Sequence, residues 1–189
     1  MTDYKTDIEE CLEALHAGEV ILYPTDTIWG LGCDATNADA VKKLITIKGK
    51  PQNKGLIVIL ASERDVLQYV ASPDLQVFDY LATTVKPTTV IYEHGLNVAD
   101  DVLNGDGSLG IRLVKDEFCR HLIKRFRKPI VSTSANMHGK PSPQKFSEIS
   151  PEVKNAVKYV VKFRQEEYEL NQPSSIIKWD NGVPLIIRP

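Results

Sequence analysis

Four segments carry residue types that could do chemistry. Tyr23-Pro24-Thr25-Asp26-Thr27 places hydroxyls and a carboxylate on a tight turn after the apolar run Val20-Ile21-Leu22. Ligand sites of α/β proteins gather at such strand ends. A plain turn, in which Asp and Thr satisfy nearby backbone groups, uses the same residues. From Val41 to Lys54 there are five lysines and no acid. Lys48 and Lys50 fall where a helix should stop, at Gly49 and Pro51. Cations there either complement the helix's negative end or, with Lys54, act as point charges for phosphates. Ser132-Thr133-Ser134-Ala135-Asn136 follows the apolar Ile130-Val131. Small hydroxyls and an amide at a strand end can donate to phosphate oxygens, or simply close an Asx/Ser turn. Arg112 and Arg188 each sit in an apolar, strand-like run, and an arginine there needs a partner. An internal carboxylate would serve, as would the carboxylate or phosphate of a ligand. Ser174 and Ser175, just before Ile176, can line the same end of the sheet.

Other chemistries find no support. His16, His94, His121 and His138 show no metal-ligand spacing, and Ser134 lacks the Gly-x-Ser-x-Gly elbow of a nucleophile. Gly105 to Gly110 matches G-x-G-x-x-G literally. A loop precedes it and a strand follows, whereas the dinucleotide fingerprint needs a strand before and a helix after. No P-loop motif occurs. Cys11, Cys33 and Cys119 are odd in number and far apart, which fits reduced, buried thiols.

These segments need a scaffold, and 189 residues suffice for one domain with a substantial core. Lys plus Arg is 23 against 25 acids, a net charge of −2, which excludes a strongly basic nucleic-acid clamp though not a local basic patch. No apolar run is long enough to span a membrane, and the acidic start MTDYKTDIEE does not read as a signal peptide. The expected location is cytoplasmic. Thr6 and Glu9 form a capping box for a first helix over Ile8, Leu12 and Leu15, ending at Gly18. Asn37 caps a second, Ser62 opens a third, and Asp74–Ala82 and Glu117–Phe126 read as further helices. Strands are expected at 20–23, 28–33, 56–60, 88–92, 109–114, 130–131, 159–161, 175–179 and 184–187. Asn181-Gly182 marks a hairpin between the last two. Residues 94–108 and 137–151 read as long loops. Helices and strands alternate early and strands cluster late, which favours an α/β domain with a mixed sheet.

The four segments, taken together, resemble the YrdC-like threonylcarbamoyl-AMP synthases. Tyr-Pro-Thr-Asp-Thr (23–27) with Gly-Leu-Gly-Cys-Asp (30–34) is similar to the family's N-terminal signature. Ile-Lys-Gly-Lys-Pro (47–51), Gly-Ile-Arg (110–112), Ser-Thr-Ser-Ala-Asn (132–136), Pro-Ser-Pro (141–143), Pro-Ser-Ser-Ile-Ile (173–177) and Ile-Arg-Pro (187–189) follow in the family's order. The resemblance implies a twisted, open α/β sheet with a concave basic cavity. It also implies a synthesis: L-threonine, bicarbonate or CO2 and ATP give threonylcarbamoyl-adenylate and pyrophosphate. Partner transferase proteins then pass the threonylcarbamoyl group to tRNA. By resemblance Lys48, Lys50, Lys54, Ser134, Asn136, Ser142 and Arg188 would bind ATP. Thr25, Arg112, Ser132 and Ser174 would hold threonine. Lys48, Lys50 and Arg112 would be catalytic. Mg2+ is expected with ATP, and no protein-held metal or organic cofactor is.

The chain departs from the family's pattern at three places. The usual Lys-x-Arg is Lys48-Gly49-Lys50, which keeps charge and loses a bidentate fork. The usual histidine after Pro-Leu-Ile-Val is Ile59. Pro-Gly-Pro-x-Thr is Val85-Lys86-Pro87-Thr88-Thr89. Longer members carry a second domain, and a chain of 189 residues is expected to be the single-domain form, 1–189. A second reading is a non-enzymatic RNA-binding or ribosome-associated paralogue of the same fold. It would use the seven basic residues against two acids over 110–128, and it would bind RNA with strong salt dependence.

Overall fold

The computed structural model describes residues 4–49, 56–167 and 172–189. Nine strands form one mixed sheet in the order β7-β1-β2-β6-β3-β5-β4-β8-β9. In chain order they are β1 (Ile21–Tyr23), β2 (Gly30–Gly32), β3 (Ile57–Leu60), β4 (Thr88–Tyr92), β5 (Leu109–Leu113), β6 (Ile130–Ser134), β7 (Tyr159–Val160), β8 (Ser175–Asp180) and β9 (Val183–Arg188). The pairs β1–β7, β3–β5 and β4–β8 are parallel, and the other neighbours are antiparallel.

The register sorts the strands' residues onto two faces. Val131, Val58, Ile111, Val90 and Ile177 stand opposite one another across β6, β3, β5, β4 and β8, and all are buried. Side chains alternate in a strand, so the other face carries Ser132, Ile57, Arg112, Thr89 and Ile176. Helices α1 (Lys5–His16) and α5 (Glu117–Phe126) pack against each other, α1 also against β1 and β7, and α5 against β3. Helix α5 buries Phe118, Cys119, Leu122, Ile123 and Phe126 on one side, and Asp116 caps it by accepting from Cys119 N at 2.8 Å. Helix α2 (Ala38–Lys48) is capped by Asn37 and ends at Gly49 in the left-handed region. The short α3 (Glu63–Val66) and α4 (Gln76–Thr83) lie between β3 and β4. Asn181 and Gly182 both have positive φ, as the tight hairpin turn requires.

Three expectations are corrected. Thr6 does not cap α1, because the helix starts at Lys5 with Tyr4 at the cap position and no side-chain cap. Packing decides this end: the Tyr4 ring meets Phe118 at 5.5 Å and Phe163 at 5.0 Å. Residues 137–151 are not a featureless loop, since they contain a 3-10 turn at Phe146–Glu148 and reach the first residue of α6 (Pro151–Ala156). Ser150 caps α6 through Val153 N, with Pro151 in its first turn, a combination that marks helix starts. The seven basic residues of 110–128 do not all reach the surface. Arg112 is buried, whereas Lys115, Arg120, Lys124, Arg125, Arg127 and Lys128 are exposed.

At Gly32 a Cβ would come within 2.6 Å of the Tyr23 ring and 2.9 Å of the Val131 carbonyl oxygen. Gly32→Ala should therefore destabilise the fold by about 1–3 kcal/mol. Urea unfolding checks this, and Gly105→Ala, where nothing lies within 4 Å, is the control.

Candidate active site

The polar face of the sheet forms the floor of a cavity of about 370 Å3, within the size range of small-molecule sites. Side chains from six strands, the end of α2, the loop between β1 and β2 and the loops after β6 and before β8 line it. Gly30, opposite Ser134, keeps part of the floor low.

One wall is built around Lys48, the last residue of α2, which is 4% exposed. Its ammonium donates to Ser134 Oγ at 3.0 Å, Asn136 O at 2.7 Å, Asn136 Oδ1 at 2.8 Å and the Ser134 carbonyl. In return His138 N donates to the Lys48 carbonyl at 2.8 Å. The loop after β6 is thus wrapped around the charge. An ammonium has three donors, so Lys48 meets a phosphate directly only by giving up one of these oxygens. As it stands, it braces the loop and supplies a fixed positive field. The ammonium donates to Ser134 Oγ, the direction opposite to that of a base drawing a proton from the hydroxyl. Ser142 lines the cavity further along the same loop, with His138 and Gly139. Lys50 and Lys54 lie outside the described residues.

The opposite wall carries two arginines. Arg112, Thr89, Ile176 and Arg188 stand in one row across β5, β4, β8 and β9. Arg188 reaches this face through a register shift between Ile176 and Ile177: Ile177 pairs with Ile186, but Ile176 pairs with Arg188. Unbroken register would set Ile187 opposite Ile176 and turn Arg188 to the other face. Arg188 donates to the Ser174 carbonyl from Nε at 3.1 Å and Nη2 at 2.7 Å. Ser174 Oγ meets Thr89 Oγ1 at 2.9 Å. Burial, and then the charge of Arg112, hold the Arg188 pKa below its ordinary value, which marks the two cations as neighbours.

Ser132 lines the floor beside them. Thr25 does not: it is 3% exposed and lies behind the lining. Its hydroxyl donates to the Ile28 carbonyl at 2.8 Å and meets Thr27 Oγ1 at 2.9 Å, and Arg112 Nη2 is 3.4 Å away. Thr27 faces the cavity in its place. Asp26 pairs with Arg112, its Oδ1 3.1 Å from Nη2. Beneath them burial pushes up the pKa values of the Tyr23 phenol and the Cys119 thiol, so both stay neutral. Among the described residues the lining therefore offers three cations, several hydroxyls, an imidazole and Trp29, and no carboxylate. Such a site can bind and neutralise a small polyanion. Among the described residues it holds no nucleophile paired with a base.

Of the expected residues, the structure brings Lys48, Arg112, Ser132, Ser134, Asn136, Ser142, Ser174 and Arg188 to one cavity. Sequence reasoning missed Thr27, Trp29, Thr89 and His138. Thr27 carries a signal, since it shares its motif with Thr25. The others are visible only once the sheet register and the loop path are known. Ile59 is fully buried and stands opposite Arg112 in register.

Residues 13–189 match the Sua5/YciO/YrdC family model, described as telomere recombination. The chain belongs to this family. It is 34% identical over 173 residues to the threonylcarbamoyl-AMP synthase of Vibrio campbellii, covering 90% of this chain and 92% of that one. The same enzyme of Vibrio parahaemolyticus is 35% identical over the same shares. Among solved Sua5/YciO/YrdC structures, P. abyssi Sua5 complexed with L-threonine superposes with a TM-score of 0.83 at 22% identity, over 98% of this chain and 54% of that one. E. coli YciO gives 0.82 at 20% identity, over 98% and 89%. At these identities the structures establish the fold.

Lys48→Met keeps the length of the side chain and removes the ammonium. It should cost roughly 2–3 kcal/mol in urea unfolding, the scale of buried charged hydrogen bonds, and raise protease cleavage between 135 and 143. A variant with unchanged stability and protection would show that the ammonium does not hold the loop.

Proposed function

We propose that the protein is an L-threonylcarbamoyl-adenylate synthase. One observation carries the reading: a single cavity gathers Lys48, Arg112 and Arg188 with Ser132, Ser134 and Asn136, and among the described residues it offers no nucleophile–base pair. The Vibrio relatives named threonylcarbamoyl-AMP synthase support it at 34% and 35% identity. So does the family relation to a Sua5 that was solved with L-threonine.

The proposed reaction makes demands that such a lining meets. The threonine amine, as its free base, attacks CO2; a carbamate forms and a proton is released. A carbamate oxygen then attacks the α-phosphorus of ATP, the bond from that phosphorus to the bridging oxygen breaks, and pyrophosphate leaves. Both attacking groups come from the substrates, so the protein must align them and offset negative charge. Arg112 would take the threonine carboxylate, with Ser132 and Ser174 beside it. Ser134, Asn136, Ser142 and Arg188 would hold the nucleotide, with Lys48 fixing the loop that presents them. Lys50 and Lys54 are proposed phosphate ligands on sequence grounds. Thr25 would act from behind, through Arg112 and Thr27.

Mg2+ would arrive on the phosphates of ATP, as it does where phosphates supply much of its coordination. Among the described residues no three His, Cys, Asp or Glu side chains converge on a metal position, so no step is assigned to a protein-held ion. No helix among the described residues is long and apolar enough to cross a membrane. A cytoplasmic location, with transfer of the product to tRNA by partner proteins, completes the proposal. The RNA-binding alternative is not favoured: the exposed cations of α5 do not line the cavity.

Pyrophosphate release from ATP should require both L-threonine and bicarbonate. Arg112→Ala should lower it by about 100-fold or more while the protein stays folded. Release that ignores threonine, or wild-type turnover in Arg112→Ala, would sink the assignment.

A further inference from the structure

Among the described residues, three buried side-chain nitrogen or oxygen atoms have no hydrogen-bond partner: Asp26 Oδ1, Asp26 Oδ2 and Arg112 Nε. All three belong to one ion pair. Its side chains are 9% and 4% exposed, and Arg112 Nη2 lies 3.1 Å from Asp26 Oδ1. The distance is that of a strong contact, but the groups do not meet along a hydrogen-bond direction. A pair kept for stability closes into two parallel N–H···O bonds; this one is held by charge alone. Buried polar atoms left in this state call for an explanation.

The surroundings supply one. The carboxylate is sealed from the cavity, as is Nε, whereas Arg112 itself lines it. The cavity therefore meets the guanidinium through its terminal nitrogens. The cross-strand neighbours of Arg112 are Ile59, which is apolar, and Thr89, whose hydroxyl is engaged with Ser174. Thr25 Oγ1 offers a long contact at 3.4 Å. Tyr23 and Cys119, near the carboxylate, are neutral. Of the nearby charges, Arg188 is a second cation in the same row and Asp26 is the one acid paired with Arg112 among the described residues; next to Asp26, Arg164 reaches the Thr25 carbonyl at 3.4 Å and is itself paired with Asp116.

We propose that Asp26 is the positioning residue of Arg112. It draws Nη2 to the back of the site and neutralises one of two adjacent guanidinium groups, leaving the rest of the fork turned to the threonine carboxylate. Because the pair lacks directional hydrogen bonds, the guanidinium can tilt toward an arriving carboxylate without breaking a closed fork. Without Asp26, two neighbouring cations repel, and Arg112 has no anchor behind it. This rests on the reading that Arg112 receives threonine.

The test is steady-state kinetics of threonylcarbamoyl-adenylate formation. Asp26→Asn keeps the shape and removes the charge. The KM for threonine should rise about tenfold or more, with the KM for ATP within about threefold of wild type. Coupling to Arg112 separates positioning from a general structural role. In a double-mutant cycle with Arg112→Lys, the effect of Asp26→Asn on threonine KM should largely vanish. Additive effects, or an unchanged threonine KM in folded Asp26→Asn, would overturn the proposal. Should Asp26→Asn not fold, Asp26→Glu displaces the same charge by one methylene and carries the same expectations. A wild-type protein that forms no product would instead refute the proposed function, which keeps the two failures apart.

Discussion

Lys48 is 4% exposed, and burial of its charge ties three parts of the molecule together. A buried cation is costly unless oxygen atoms replace its water. The oxygens come from Ser134 and Asn136, at the end of β6 and just beyond it. The loop must therefore turn back over the end of α2. That end is fixed in turn by Gly49, whose left-handed conformation stops the helix at Lys48. Helix end, strand end and loop are held by one group, and the cavity wall is what they enclose.

The second wall follows from sheet register. Arg112 and Arg188 are 76 residues apart in sequence, yet they share a row because β4 and β8 lie between β5 and β9. The shift at Ile176 and Ile177 puts Arg188, not Ile187, on the cavity face, and Ile187 is left 58% exposed. An exposed isoleucine on an edge strand is a cost. The gain is a guanidinium anchored twice on the Ser174 carbonyl, beside the hydroxyl pair of Ser174 and Thr89. Bulges next to sites commonly re-aim a side chain in this way.

Much of this was legible in the sequence because local signals and tertiary structure agree. Asn37 caps its helix, Glu117–Phe126 is helical to the residue, and Asn181-Gly182 closes its hairpin. The hydroxyl motif after β6, Lys48 and the two arginines converge because the end of β6, the end of α2 and the polar face of the sheet meet at one cavity. Where the reading failed, longer-range packing or register decided. The start of α1 is set by the Tyr4 ring on Phe118 and Phe163, which no capping rule records. Thr25 has the residue type of a ligand, but its hydroxyl is used inside its own turn. The difference between Thr25 and Thr27 is a matter of which side of the chain faces the sheet, and the motif does not state it. Thr89 and His138 enter the cavity through register and loop path.

Among the described residues three cations line the cavity, and they do not contribute equally to its field. Lys48 is bonded to hydroxyl, carbonyl and amide oxygens of Ser134 and Asn136, and Arg188 to the Ser174 carbonyl. Arg112 is held by a carboxylate and is largely cancelled at a distance. A polyanion approaching from solvent meets mainly Lys48 on one wall and Arg188 on the other, and a near-neutral net charge of −2 for the whole chain does not report this. Arg112 acts at close range, where a planar carboxylate can meet its fork. Such a division suits a site that must accept both a highly charged nucleotide and a small amino acid. The strong field is spread along the cavity, and the short-range partner is kept for the group whose placement decides the reaction geometry.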